Sequence, residues 1–273
     1  MRITMLKCLT FGAAIGTMLL PLVATADTNV TAVGSSALLP LVKESAQAYQ
    51  EKHPEVRIAV SGGGSYVGIS QAMSRSVDIG DSDVIAPGNS GLKDHKVCVV
   101  GFGVIANPGT GVTGLSRKQI RDIFAGRVKN WKDVGGRDGA VIVINRPRSS
   151  GTRAVFNATV MGTSKIAEGG QVEDSSGQVV TTIASLPGSI SYVAFAYTKG
   201  KAVNVLKVDG TAPTEQNIES GRYPIWSYEH MFTHAGSPPA AEDFIRYVTQ
   251  NKGTIQKLGY IVISEMKIRE NNR

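Results

Sequence analysis

The chain has 273 residues, of which 42% are apolar, and a formal net charge of +7. This length suffices for one large domain or two ordinary ones with their own cores, and the composition excludes a disordered or fibrous protein. The basic residues are spread along the chain rather than grouped, so the positive charge is only weak support for nucleic-acid or membrane binding, and we expect no nucleic-acid partner.

Residues 1–26 have the pattern of a secretory signal peptide. Arg2 and Lys7 give a basic start, residues 8–23 form an apolar run, and residues 24–26 (Ala-Thr-Ala) match a small-residue cleavage site. An N-terminal membrane anchor is the alternative. The apolar run contains a proline, however, and is shorter than the roughly 20 residues that a spanning helix needs. The pattern therefore predicts a cleaved leader and a periplasmic protein.

The predicted mature chain, residues 27–273, contains a single cysteine. The leader carries two basic residues and no acidic ones, so its removal lowers the formal charge from +7 to +5. Cys98 has no partner for an internal disulfide, and its apolar surroundings predict a buried thiol. An exported chain without disulfides is expected to be stabilised by its core.

The first part of the mature chain alternates between predicted strands and helices. Strands are predicted at residues 30–33, 56–60 and 77–80, and apolar residues recur at helical spacing between them. Each strand runs into a cluster of Ser, Gly or Asp residues, at 34–36, 61–65 and 81–83. This βαβ pattern predicts a parallel sheet, in which ligands bind at the carboxyl ends of the strands.

The middle of the chain continues the same pattern. An apolar run predicts a buried strand at 97–106, and Ser116 and Gly126 are the predicted caps of a helix between them. A strand at 140–144 is followed by a helix at 152–161, which places Ser150 and Gly151 at a helix N-terminus. The remaining predicted elements are a polar loop at 168–177, helices at 179–184 and 242–249, and an extended segment at 190–197. Extended segments near 101–107 and 192–198 are candidate connections between two lobes.

The strand ends together carry the groups that bind an oxyanion. The segment NRPRSSGTR, residues 145–153, contains arginines beside a predicted helix N-terminus, where unpaired N–H groups and the helix dipole favour an anion. The earlier turns, Gly34-Ser35-Ser36 and Gly63-Gly64-Ser65, contribute hydroxyl groups and exposed backbone N–H groups. Any one of these turns is an ordinary connection, but their joint occurrence indicates a binding site.

Asp83 differs from the other candidates because a carboxylate repels an anion unless a proton lies between them. Phosphate keeps such a proton near neutral pH and sulfate does not. A carboxylate that accepts a hydrogen bond at this position would therefore select phosphate, because sulfate has no proton to donate and its negative charge would be repelled.

Five segments in this order resemble the phosphate-binding proteins of ABC transporters: VGSSALLPLVKE, VSGGGSYVGI, VDIGDSDV, LSRKQIRDIFAGRVKNWKDVGG and RPRSSGTRAVF. The resemblance covers residues from about 30 to 260. It implies an α/β fold of the type II periplasmic binding protein class, with two lobes joined by two crossover strands and the ligand in the cleft. The implied boundaries are 27–104 and 198–273 for the first lobe and 105–197 for the second.

The resemblance also implies the ligand contacts, which are Ser36 (hydroxyl), Leu38 (backbone), Ser65, Asp83, Arg146, Ser150, Gly151 and Thr152. Whether Ser35 or Ser36 provides the main hydroxyl is left open, and Arg148 and Arg153 are not assigned. The implied ligand is inorganic phosphate and the implied partner is the membrane permease. A monomer without cofactor or metal is expected.

The sequence contains two other motifs and allows other functions besides phosphate binding for transport. Residues 101–106 (GFGVIA) match a dinucleotide fingerprint, but no helix is predicted after them. His230 and His234 could bind a metal if they lay on a helix, although no third ligand is evident nearby. The alternatives that stay open are a binder of sulfate or molybdate, a phosphate-sensing or adhesion protein without transport, and a phosphomonoesterase or phosphoryl-transfer enzyme.

Overall fold

The computed structural model describes residues 28–268, and the predicted signal peptide lies outside them. Its strands are β1 (Thr28–Gly34), β2 (Val56–Gly62), β3 (Ile79–Ser82), β4 (Lys93–Ala106), β5 (Gly114–Leu115), β6 (Ile142–Asn145), β7 (Gln171–Val172), β8 (Ser189–Ala194), β9 (Asn204–Val205), β10 (Lys207–Val208) and β11 (Trp226–Thr233). Its helices are α1 (Leu39–Lys52), α2 (Ser65–Met73), α3 (Arg117–Phe124), α4 (Gly151–Phe156), α5 (Ser176–Ser185), α6 (Glu215–Glu219), α7 (Pro239–Gln250) and α8 (Lys252–Lys257).

The main sheet has the strand order β2-β1-β3-β11-β4-β8-β6-β7, and β9 pairs with β4. β1 is parallel to β2 and β3, and β6 is parallel to β7 and β8, as the βαβ pattern predicts. β11 returns from the C-terminal part of the chain and runs antiparallel to β3 and β4. The sheet is therefore mixed. A strand that the chain adds after leaving the sheet and coming back can run in either direction.

β4 is the strand that both halves of the sheet share. Up to Gly101 it pairs with β11, and from Phe102 to Ala106 it pairs with β8. The sequence predicted only its apolar part, residues 97–106, because the residues before it, 93–96, are polar and partly exposed.

The second predicted connection, near 192–198, is not extended throughout. β8 ends at Ala194, and Phe195–Tyr197 forms a 3-10 turn. This turn lays the ring of Phe195 against β4 at Gly101 and Gly103, where a Cβ on either glycine would come within 3.2 Å of that ring. The apolar run of the sequence does not reveal such a turn, because buried turns and buried strands share one composition.

Two further boundaries differ from the predicted ones. β3 begins at Ile79 rather than at residue 77, and it includes Asp81 and Ser82 rather than stopping ahead of them. The helix predicted at 152–161 consists of the short α4 followed by a π-helical turn, Asn157–Met161.

An aromatic stack holds α4 in place over the sheet. The ring centroids of Phe156 and Tyr192 are 4.1 Å apart, and Phe124 packs on Phe156 at 4.6 Å. All three rings are buried, and such packing adds specific geometry to the hydrophobic burial. The thiol of Cys98 is buried in the core, as predicted. Within residues 28–268, no helix has the length and hydrophobicity needed to span a bilayer.

Candidate functional site

The structure brings together the turns after β1 and β3 and the start of α2 from one half of the sheet and the turn after β6 from the other. All eight predicted contact residues lie there and are buried: Ser36, Leu38, Ser65, Asp83, Arg146, Ser150, Gly151 and Thr152. β1, β2 and β3 are parallel, so their carboxyl ends share one edge. β6 runs in the opposite direction, because β11, β4 and β8 alternate in direction between β3 and β6, and its carboxyl end therefore meets theirs from the other half of the sheet. We refer to these eight residues as the cradle.

Asp83 accepts hydrogen bonds from two hydroxyl groups on different segments. Ser35 Oγ donates to Asp83 Oδ1, and Thr152 Oγ1 donates to Asp83 Oδ2 at 2.7 Å. The backbone N–H of Asp83 donates to Ser65 Oγ at 2.9 Å. A carboxylate has about four acceptor positions, so Asp83 retains capacity for further donors.

Arg146 connects the turn after β6 to the turn after β1. Its guanidinium donates to Ser36 Oγ at 3.0 Å, to Ser176 Oγ at 3.4 Å, and to the carbonyl oxygens of Glu173 and Asp174 at 3.0 and 3.2 Å. Burial lowers the pKa of Arg146, and the charge of Asp83 opposes that shift. An arginine remains protonated under such conditions, so the cradle contains a buried positive charge.

The backbone of the cradle approaches closely at Gly151, the first residue of α4. A Cβ on Gly151 would lie 2.1 Å from Ser65 Oγ and 2.9 Å from Asp83 Cβ. A side chain of any size at this position would displace those groups. Glycine is therefore required here by space, which the sequence motif alone does not show.

Three helices begin in the cradle: α2 at Ser65, α4 directly after Ser150, and α1 directly after Leu38. Ser150 Oγ accepts from Arg153 N at 3.2 Å and caps α4, whose first N–H groups have no acceptor within the helix. Leu38 N donates to Ser35 Oγ at 3.2 Å immediately before α1. All three helices therefore place their N-termini, and hence positive dipole ends, at the cradle.

The structure distinguishes Ser35 from Ser36, which the sequence left open. Ser35 Oγ donates to Asp83 and accepts from the backbone N–H groups of Ala37 and Leu38. Ser36 Oγ lies instead beside Arg146 and Ser176. Ser35 thus orients the carboxylate, whereas Ser36 lies on the side of the guanidinium.

The two unassigned arginines lie at the edge of the cradle. Arg153 donates to the backbone carbonyl oxygen of Arg146 at 2.7 Å, so it holds the segment that carries Arg146. Arg148 is exposed and, with Arg153 and Lys165, lines a cavity of about 750 Å³. A second cavity of about 780 Å³ reaches Asp83 and His230.

Several supporting residues were not identified from the sequence. Ser176, at the start of α5, donates its backbone N–H to Ser36 Oγ at 3.3 Å. Tyr192 donates to Asn145 Oδ1 at 2.7 Å, and the same oxygen accepts from Arg146 N. The capping box at Ser175 and Gln178 is a sequence signal that could have located the start of α5.

The histidine pair does not form the helical arrangement considered for a metal. His230 lies within β11 and its Nδ1 is 2.7 Å from Asp94 Oδ1, while His234 follows the strand. In the part of the chain that the structure describes, no group of three His, Cys, Asp or Glu side chains is placed to hold a metal ion.

Comparison with known proteins shows that the similarity extends over nearly the whole chain. A family model described as a PBP superfamily domain matches residues 21–252. The phosphate-binding protein PstS of Bacillus subtilis is 40% identical over 251 residues, which cover 89% of this chain and 83% of the relative. The protein of the same name from Borreliella burgdorferi is 25% identical over 246 residues, 84% of this chain and 88% of the relative.

Solved structures give the same result. A substrate-binding protein of Clostridium perfringens, solved with bound phosphate, superposes with a TM-score of 0.82 at 27% identity and covers 86% of this chain and all of that one. A phosphate transport receptor from Vibrio cholerae superposes with a TM-score of 0.69 at 26% identity, covering 85% and 99% of the two chains.

These matches confirm the predicted fold class, an α/β fold with the architecture of type II periplasmic binding proteins. They extend from near the first described strand to the C-terminal helices, so they include every segment that contributes to the cradle. The chain belongs to the PBP superfamily and, within it, to the family of phosphate-binding proteins PstS.

Proposed function

We propose that this protein is an exported solute-binding protein that captures inorganic phosphate in the cradle and delivers it to the permease of an ABC transporter. Phosphate is the ligand that the name of the Bacillus subtilis relative gives and that the Clostridium perfringens structure contains. The observation that carries the proposal is the composition of the cradle, in which a buried guanidinium and several neutral donors surround a single carboxylate acceptor, Asp83.

Each cradle residue has a distinct role in this proposal. Arg146 supplies the charge that balances the anion, and its effect is large because the site is buried and its effective dielectric constant is low. The hydroxyl groups of Ser36, Ser65 and Ser150 and the backbone N–H groups of Leu38, Gly151 and Thr152 donate to the phosphate oxygens, while the Thr152 hydroxyl donates to Asp83. Asp83 accepts a hydrogen bond from the oxygen of phosphate that remains protonated.

Selection against sulfate follows from the role of Asp83. Sulfate has no proton to donate near neutral pH, so its oxygens would face a carboxylate directly in a buried site. Such repulsion between like charges is a strong means of discrimination between ligands of similar size. Molybdate and sulfate binding are the alternatives that this residue argues against.

We propose that the protein has two lobes. Residues 27–104 and 198–273 form the first lobe, and residues 105–197 form the second. Contacts between them support a closing cleft, since Thr152 donates to Asp83, Arg146 donates to Ser36, and Tyr197 Oη donates to Ser36 O at 2.7 Å. Closure around the ligand would exclude water from these hydrogen bonds. We further propose a monomer without enzymatic activity, in keeping with relatives named as binding proteins, and a periplasmic location after cleavage of residues 1–26.

Calorimetric titration of the ligand-stripped mature chain, residues 27–273, tests the function. The protein is titrated with phosphate, sulfate and molybdate at matched ionic strength, and a phosphomonoester is added separately to detect hydrolysis. We expect tight phosphate binding, no heat from sulfate or molybdate, and no release of phosphate from the ester. Equal binding of sulfate would contradict phosphate as the selected substrate, and absence of binding from folded protein would favour the adhesion alternative.

A further inference from the structure

Two further buried carboxyl groups accompany Asp83. Asp81 lies in β3, and Asp83 follows two residues later, directly after the end of that strand at Ser82. Glu229 lies in β11, where Met231 pairs with Asp81 and His230 with Ser82, so that the next position, Glu229, comes level with Asp83. Asp81 and Glu229 have no exposed surface, and Asp83 is 3% exposed.

Glu229 is placed where only a neutral carboxyl group is favourable. Neither of its oxygens receives a hydrogen bond from a donor group within residues 28–268. An ionised carboxylate without donors is strongly disfavoured in a buried site, whereas the protonated form is a neutral group with one O–H to donate. Burial, and after it the charge of Asp83, raise the pKa of Glu229 well above its ordinary value.

Asp83, in contrast, has the surroundings of an anion. It accepts hydrogen bonds from the hydroxyl groups of Ser35 and Thr152, and the guanidinium of Arg146 interacts with its charge. Hydrogen bonds to a charged acceptor are stronger than those to a neutral one. One proton shared by the two carboxyl groups therefore belongs on Glu229, with Asp83 as its acceptor.

We propose that protonated Glu229 donates a hydrogen bond to Asp83 and is a specificity-determining positioning residue of the oxyanion site. Through this bond Glu229 holds the Asp83 carboxylate in the orientation that distinguishes phosphate from sulfate. The inference rests on the proposed function for its effect on ligand choice. The carboxyl pair itself exists without a ligand and can be detected in the ligand-free protein.

The other titratable groups that face Glu229 are neutral near pH 7. Burial raises the pKa of Asp81 to about 8. Cys98 pairs with Glu229 in the register of β4 and β11, and burial raises the pKa of its thiol. Tyr260 Oη donates to Ala37 O at 2.6 Å, and burial raises the pKa of its phenol. The Glu229–Asp83 pair thus carries one negative charge, and the positive charge of Arg146 offsets it.

Two substitutions separate the hydrogen bond from the space that Glu229 fills. Glu229→Gln retains a donor toward Asp83 without an ionisable group, and Glu229→Met fills a similar volume without a donor. Loss of the donor releases the Asp83 carboxylate from the orientation in which it accepts from phosphate and repels sulfate. Asp81→Asn is the matched control, since it alters a neighbouring buried carboxyl that does not face the ligand in this proposal.

The affinities for phosphate and sulfate are measured at pH 7 for all four proteins, with thermal unfolding to establish that each is folded. We expect Glu229→Gln and Asp81→Asn to bind phosphate within about threefold of the wild type and to reject sulfate. We expect Glu229→Met to lose roughly tenfold in phosphate affinity and to bind sulfate measurably, the size of effect for a hydrogen bond to a charged group. Identical phosphate-to-sulfate ratios in the Gln and Met variants would overturn the role in specificity.

Infrared difference spectra of the ligand-free proteins give a second test that needs no phosphate binding. We expect the protonated-carboxyl C=O signal at pH 7 to lose the Glu229 band in Glu229→Gln, while the band of protonated Asp81 remains. If the wild type and Glu229→Gln have the same protonated-carboxyl signal, the shared proton is not on Glu229 and the inference is wrong. If the wild type does not bind phosphate, the proposed function fails while this spectrum still decides whether the carboxyl pair exists.

Discussion

The guanidinium of Arg146 is almost completely buried, and the hydrogen bonds that it donates within the described residues end on neutral oxygens. The two carbonyl groups and two hydroxyl groups orient the guanidinium but do not neutralise it. A buried cation held in this way is stabilised by an anion that enters its surroundings. Ser36 and Ser176 lie beside the guanidinium, whereas Asp83 is held by Ser35 and Thr152. Different residues therefore balance the charge of the anion and select which anion binds.

Arg146→Ala is expected to remove most of the phosphate affinity. The substitution deletes the buried charge and leaves the hydroxyl oxygens of Ser36 and Ser176 without their donor, so we predict a rise of roughly 100-fold or more in Kd. Calorimetry measures it, and circular dichroism establishes that the variant is folded. Arg148→Ala is the matched control, because Arg148 is exposed and should shift Kd by only about twofold to threefold. A nearly normal Kd for Arg146→Ala would contradict the site assignment.

At the scale of elements, α4 is the helix on which the cradle depends. Its N-terminus is capped by Ser150, its first residue contacts Ser65 and Asp83, and its last, Phe156, is fixed by stacking on Tyr192. Only six residues long, it is positioned by packing rather than by intrinsic helix stability, since short helices are marginal on their own.

Gly151→Ala is expected to disturb the cradle through space alone. A Cβ at this position would lie 2.1 Å from Ser65 Oγ, so either α4 or Ser65 must move, and overpacking of this kind costs about 1–3 kcal/mol. We predict at least about a tenfold loss in phosphate affinity with a lowered free energy of unfolding.

Gly177→Ala controls for the Gly151 substitution. Gly177 is the second residue of α5, where a Cβ would meet its nearest neighbour, Tyr197 Cε1, at an ordinary 3.8 Å. This variant should bind phosphate normally and be as stable as the wild type or slightly more so. Equal affinities in the two variants would show that the close approach at Gly151 is unimportant for binding.

Local sequence patterns predict much of this element structure. Period-two and helical spacing place β1, β2, α1 and α5, and the turns rich in Ser, Gly and Asp mark the strand ends that meet at the cradle. The direction of β11 and the position of Glu229 beside Asp83 could not be predicted in this way. They depend on pairing between residues more than 140 positions apart, which local spacing does not encode.

At the scale of the whole molecule, the buried carboxyl groups couple stability to pH. Asp81 has no exposed surface, and burial raises its pKa from 3.8 to about 8. The native state holds this proton at pH values where the unfolded chain has released it. The contribution of the proton is therefore fully present below about pH 4 and is lost progressively as the pH rises to about 8.

Asp81→Asn removes this dependence because asparagine keeps the shape of the side chain and does not titrate. We predict that the free energy of unfolding of the variant, relative to the wild type, rises by about 1.4 kcal/mol per pH unit between pH 5 and 7. Denaturant unfolding at several pH values measures it, with Asp133→Asn, an exposed aspartate, as the control for net charge. A constant difference across this range would show that Asp81 is ionised in the native protein.

The segments that meet at the cradle come from distant parts of the chain, and the long β4 belongs to both halves of the sheet. Closure of the two proposed lobes would bring Asp83 from one and Arg146 and Thr152 from the other onto the same ligand. The central claim is that this arrangement selects phosphate through the carboxylate of Asp83.

Calorimetric titration of the wild type and Asp83→Asn with phosphate and sulfate at pH 7 tests that claim most directly. The asparagine is nearly isosteric, but its amide can donate to sulfate and does not repel it. We predict that the wild type rejects sulfate, whereas Asp83→Asn binds it measurably and loses at least about tenfold in its preference for phosphate. Equal losses of affinity for both anions, or continued rejection of sulfate by the variant, would contradict the account.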